Sequence, residues 1–188
     1  MKKMKKLLFL SIAILSITTA IAQKKLYSTT TGTTTFDAGT GVENISATNK
    51  STTSVFDAVS GQMQFKIMNK GFEFWSQLMQ DHFNENYMES EKYPKTMFSG
   101  NITDIKKVNF SKDGTYPVTV KGTLDMHGVK KEIQTTGSFK INGDQVIGTS
   151  SFIVALADYN IEIPGVVKEK LAKTVKINVT CNYSLLKQ

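Results

Sequence analysis

Arginine is absent from the 188 residues: all 23 basic side chains are lysine. Forked recognition of phosphate or carboxylate usually falls to Arg, whose planar guanidinium presents paired donors. Its absence argues against a dedicated phosphate clamp, although Lys can still serve as a point charge. Cysteine is nearly absent too. Cys181 stands alone, so no internal disulfide can form even in an oxidising compartment. The two His, His82 and His127, are far apart and have no second His or Cys near them. Spacings that hold zinc, such as H-x-x-x-H or C-x-x-C, do not occur. No Gly-rich loop opens a helix, and no Gly-x-Ser-x-Gly nucleophile elbow is present. The residues therefore name no catalytic set, no metal site and no cofactor.

What is present begins with an address. Lys2, Lys3, Lys5 and Lys6 precede an apolar run from Leu7 to Ile17, and Ala20-Ile21-Ala22 places small residues where a signal peptidase reads. Residues 1–22 read as a cleaved signal peptide and 23–188 as one domain. The apolar run is shorter than the roughly 20 residues that span a bilayer, so no transmembrane span is expected after cleavage. The short Lys-rich start points to a bacterial periplasm or the exterior. Removing four of 23 basic residues leaves 19 against 16 acidic ones, a net of +3 instead of +7. That balance is too even for a nucleic-acid footprint.

Two-residue alternation dominates the rest. Val175, Ile177, Val179, Cys181, Tyr183 and Leu185 alternate with polar residues, which gives a strand with one dry face. Val118, Val120, Leu124 and Met126 repeat the pattern. A turn at His127-Gly128 leads to Val129, Ile133, Phe139 and Ile141. Asn142-Gly143-Asp144 is a hairpin signal, followed by Phe152, Val154 and Leu156. Met63, Phe65 and Ile67 follow a turn at Ser60-Gly61. Ser28–Thr35 and Val42–Ala47 read as strands with weaker faces. One amphipathic helix is expected over residues 72–83, where Trp75, Leu78, Met79, His82 and Phe83 recur at three- and four-residue spacings. A short helical turn is expected after Pro164. With no proline-rich linker, charge block or repeat, the chain reads as one mainly all-β domain, an antiparallel sandwich or barrel with one short helix.

His82-Phe83-Asn84-Glu85-Asn86-Tyr87-Met88-Glu89-Ser90-Glu91-Lys92-Tyr93-Pro94, then Phe98-Ser99-Gly100, resembles the helix-to-strand segment of the YceI-like family. Val120-Lys121-Gly122-Thr123-Leu124-Asp125-Met126-His127-Gly128-Val129-Lys130-Lys131 resembles that family's hairpin. Ala172 to Ile177 is similar to its closing strand. The resemblance covers residues 27–185. It implies a lipocalin-like antiparallel β-barrel, exported, with a polyisoprenoid or quinone-like lipid inside. Where the family has Asp-Phe-Phe-Asp, this chain has Asn86-Tyr87-Met88-Glu89, and the Thr-rich first third matches least.

Inward candidates for the cavity are Phe65, Phe98, Leu124, Phe139, Phe152, Val154 and Val179. Trp75, Met79 and Phe83 would close one end. Tyr87 and Tyr93 would offer hydroxyls to a polar head, with His82 assisting. Each is also accounted for as ordinary core, because alternation alone does not separate a hollow barrel from a filled one. A secreted interaction module with a filled β core is the alternative reading. Asp81, Glu85, Glu89 and Glu91 read as a solvated rim countered by Lys92 and Lys95, and His82 with Glu85 as two groups short of a site.

Overall fold

The computed structural model describes residues 24–186, so the segment 1–22 expected to be a signal peptide lies outside the described residues. The strands are β1 (Leu26–Gly39), β2 (Ser46–Asp57), β3 (Gln62–Met68), β4 (Glu73–Phe74), β5 (Lys95–Ile102), β6 (Gly114–Met126), β7 (Val129–Asn142), β8 (Gln145–Ala155) and β9 (Leu171–Leu185). Every pairing is antiparallel. Apart from the two-residue β4, each strand bonds to its neighbours in sequence, and β1 pairs with both β2 and β9. The sheet thus closes as an eight-stranded up-and-down barrel, with every strand flanked on both sides along at least part of its length.

The turns follow their residues. His127 and Gly128 have φ of +52° and +74°, as a two-residue hairpin with both central residues left-handed requires. A Cβ on Gly128 would lie 2.5 Å from the Tyr93 ring, so that loop tolerates no side chain there. At the β7–β8 hairpin, Asn142 pairs with Gln145 across Gly143-Asp144, with Gly143 at φ +57°.

Three expectations need correction. The helix α1 spans only Gln77–His82 and continues as a π-helical turn over Phe83–Tyr87. Its expected start is taken by β4, where Glu73 and Phe74 pair with Thr48 and Ala47 of β2. Strand bonding wins there because Phe72, Glu73 and Phe74 already alternate between buried, exposed and half-buried. Val42 lies in the β1–β2 connection, 71% exposed, and β2 starts only at Ser46. Leu156 leaves β8 and opens a 3-10 turn, Leu156–Tyr159. The turn after Pro164 is a 3-10 turn at Gly165–Val167.

One end of the barrel is filled. Tyr27 stacks on both Phe56 and Phe110, Phe110 tilts against Phe56 at 5.7 Å, Phe139 lies 4.9 Å from Phe56, and Tyr183 meets it edge-on, also at 4.9 Å. Phe56 is 1% exposed at the centre of this floor. Aromatic pairs at such spacings add to the stabilisation from their buried area. The Ser54 and Tyr183 hydroxyls are 2.8 Å apart, which satisfies the one polar atom the ring of Tyr183 brings into the floor. At this end Asp57 caps the β2–β3 turn, accepting from Val59 N–H, Ser60 Oγ and Lys25 N–H.

Candidate functional site

Above the aromatic floor the barrel is hollow, with a cavity of ≈ 570 Å³. That lies within the roughly 300–1,000 Å³ typical of small-molecule sites. Its walls come from the inward positions of β1, β3 and β5–β9. Phe65, Phe98, Leu124, Phe139, Phe152, Val154 and Val179 all line it. Gly100 and Gly122 face each other across β5 and β6, and Phe98 lies over both. A Cβ on Gly100 or Gly122 would stand 2.7 or 2.9 Å from Phe98 Cζ, so the bare backbones let that ring turn into the cavity wall.

The opposite end is the mouth, formed by the β1–β2, β3–β5, β6–β7 and β8–β9 connections. Phe36, Phe72, Phe74 and Phe83 meet there with ring centroids 5.1–5.7 Å apart. Trp75, Met79, His82, Phe83 and Tyr87 border the cavity beside them. Trp75 donates its indole N–H to the Asn44 carbonyl at 3.2 Å, which ties α1's lead-in to the β1–β2 connection. Trp75 and Leu78 remain 69% and 63% exposed, so the mouth presents apolar surface to solvent. Burial raises the Tyr87 hydroxyl above the usual tyrosine range, which keeps it a neutral hydrogen-bonding group.

Tyr93 is not among the lining residues. Its ring packs edge-on against His127 at 4.6 Å and over Gly128, outside the cavity. The expectation that it meets a head group is corrected accordingly. The acidic group also divides. Glu89 pairs with buried His127 at 2.9 Å and with Lys92 at 3.8 Å, Glu91 pairs with Lys70, and Asp81 accepts from Gln77.

Sequence reasoning missed Phe36, Phe72 and Phe74 at the mouth, and Met63, Met88 and Met126 in the wall. The Phe72-x-Phe74 alternation was the available signal for the first group. Besides the Glu43–Lys170 pair at the rim, the polar side chains of the lining include Thr34, Asn69, Thr96, Thr135 and Ser150, which contribute hydroxyls and an amide. Among the described residues Lys170 is the one Lys of the lining, and it pairs with Glu43 at 3.1 Å on the rim. Cys181 sits buried in the wall, and burial pushes its thiol up to about 11, so it is an unreactive core group at neutral pH. Among the described residues no three His, Cys, Asp or Glu side chains gather as a metal site, and no helix is long and apolar enough to cross a membrane.

A closed antiparallel barrel with a sealed floor, an apolar hollow and a helix-bordered mouth defines a lipocalin-like architecture. The sequence profile of the YceI-like domain matches residues 15–183, and the chain belongs to that family. A polyisoprenoid binding domain from Saccharophagus degradans superposes with a TM-score of 0.73 at 16% identity, covering 85% of this chain and 98% of that one. Burkholderia cenocepacia BcnA gives 0.66 at 14% identity over 81% and 96% of the two chains. The Campylobacter jejuni YceI protein gives 0.56 at 14% identity over 78% and 87%. At these identities the likeness establishes the fold. No curated protein sequence matches the chain.

Proposed function

We propose that this chain is an exported binding protein that holds a polyisoprenoid or quinone-like lipid with an uncharged head in its barrel, for sequestration or transport. The observation that carries the reading is the ≈ 570 Å³ apolar hollow above a sealed floor, whose one lysine among the described residues is paired with Glu43. Each buried methylene contributes about 0.8 kcal/mol, so a chain of isoprene units binds well with few polar contacts. The lining hydroxyls and Tyr87 suit a hydroxyl or carbonyl head better than a diphosphate, whose charge would lack partners there. The name of the Saccharophagus degradans domain, polyisoprenoid binding, agrees with this chemistry. Export follows from the lysine-led apolar run and Ala20-Ile21-Ala22.

Trp75 is the sole Trp of the chain and borders the cavity, so its fluorescence reports occupancy. Titration with a short-chain ubiquinone is expected to quench it saturably at one site per chain. Unchanged fluorescence, together with no quinone co-eluting on gel filtration, would contradict the reading and favour the interaction module.

A further inference from the structure

The barrel wall is interrupted between β7 and β8. Their backbones pair from Asn142 with Gln145 up to Gly137 with Ser150, and the pairing stops there. β7 nevertheless continues to Val129 along β6, and β8 continues to Ala155 along β9. Residues 129–136 and 151–155 are therefore two strand edges that diverge instead of closing.

The break opens onto the cavity. Ile133 and Thr135 on one lip and Phe152 on the other all line it, and all three are half-buried. Beside Phe152, Ile153 points outward and is 67% exposed, so apolar surface continues from the inside to the outer lip. The slot has a frame. Below, the Thr135 and Ser150 hydroxyls are 3.3 Å apart, and Ser150 donates to the Thr136 carbonyl at 2.8 Å. Above, Lys131 reaches Asp158 at 3.3 Å, and His127 Nδ1 donates to the Tyr159 carbonyl at 2.9 Å. Between the two lies an unpaired stretch of β7 that is roughly 13 Å long at strand rise.

Its depth matters. Gly137, where pairing resumes, stands two residues from Phe139, a ring of the floor. A chain running down from the mouth meets Phe139 and Tyr183 and has the slot beside it. We propose that the β7–β8 slot is a second opening of the cavity, through which the tail of a lipid longer than the cavity leaves the barrel. A hollow sealed at its floor would impose a chain-length limit, and the slot removes it. This inference rests on the lipid-binding reading above.

The test is a Ser151→Cys variant, at an exposed position of the outer lip that does not line the cavity, compared before and after labelling with a bulky maleimide. Cys181 does not compete, because it is buried and its thiol is protonated at neutral pH. Binding of farnesol and of decaprenol is measured for both forms. Labelling is expected to weaken decaprenol about tenfold or more while farnesol stays within about twofold. If Ser151→Cys does not fold, Gln134→Cys, exposed on the facing lip, carries the label instead. An equal effect on both alcohols, or no effect on either, overturns the slot and leaves lipid binding standing. Failure of the unlabelled protein to bind either alcohol overturns both.

Discussion

Glu89 Oε2 lies 2.9 Å from His127 Nε2, and both residues hold left-handed backbone, with φ of +42° and +52°. His127 Nδ1 faces the Tyr159 carbonyl at the same distance. A carbonyl and a carboxylate oxygen thus meet the two ring nitrogens. The contact joins the loop after α1, the β6–β7 hairpin and the β8–β9 connection. Three of the four connections around the mouth are held at one buried imidazole.

Removing that ring leaves a buried carbonyl without its donor. His127→Ala is expected to destabilise the protein by about 1–3 kcal/mol. Glu89→Ala should cost less, since its side chain is 42% exposed. A double-mutant cycle read by urea unfolding should show a coupling of about 0.5–3 kcal/mol. Additive effects would show that the pair does not act as a unit.

The floor should behave as packed core. Phe56→Ala is expected to cost about 3–5 kcal/mol, because four rings lose their central partner. Tyr183→Phe removes only the hydroxyl that meets Ser54 and should cost about 0.5–1.5 kcal/mol. Thermal and urea unfolding distinguish the two. A Phe56→Ala protein as stable as the parent would mean the floor is not sealed.

Asp57 gives stability a pH dependence. Burial opposes its charge, but hydrogen bonds from Val59, Ser60 and Lys25 outweigh that and hold its carboxyl below the usual range. The folded form therefore binds this proton less readily than the unfolded chain. Its stabilisation is present above the unfolded value of about 3.9 and is lost as pH falls through the folded value. Urea unfolding followed from about pH 6 down to about pH 2 should show this loss, and Asp57→Asn should flatten it. An unchanged acid limb in the variant would assign the dependence to other groups.

Much of the barrel was legible because its second half alternates cleanly. β6, β7 and β9 keep apolar residues on one face, and His127-Gly128 and Asn142-Gly143-Asp144 mark their turns. β2 was not legible because its inward positions are polar: Asn49 and Thr52 are fully buried and Ser54 is 1% exposed. Their partners are distant in sequence. Thr52 shares a hydrogen bond with Thr34, Ser54 with Tyr183, and Asn49 reaches the Met68 carbonyl. A polar strand with a buried face looks like a loop until those partners are known. Of the candidate site, the wall residues were readable from parity, whereas Tyr93 was misplaced because its position depends on the His127 hairpin folding against it. The slot was invisible, since β7 keeps its alternation through the very residues that lose their neighbour.

A hollow barrel and a filled one answer differently to added volume. Val179 lines the cavity and is half-buried. Val179→Phe is expected to change stability by less than the roughly 1–3 kcal/mol that overpacking costs in a filled core. It should weaken lipid binding about tenfold by occupying the ligand's space. Thermal unfolding and quinone titration of the same preparation check both parts. A large loss of stability with unchanged binding would reverse the account.

The most direct test is mass spectrometry of an organic extract from the full chain, exported by a bacterial host and purified without detergent. A polyisoprenoid alcohol or quinone at about one per chain, depleted in the Val179→Phe preparation, is the predicted result. An extract free of lipid, and still free after incubation with isoprenoid alcohols and quinones, would contradict the lipid-binding barrel.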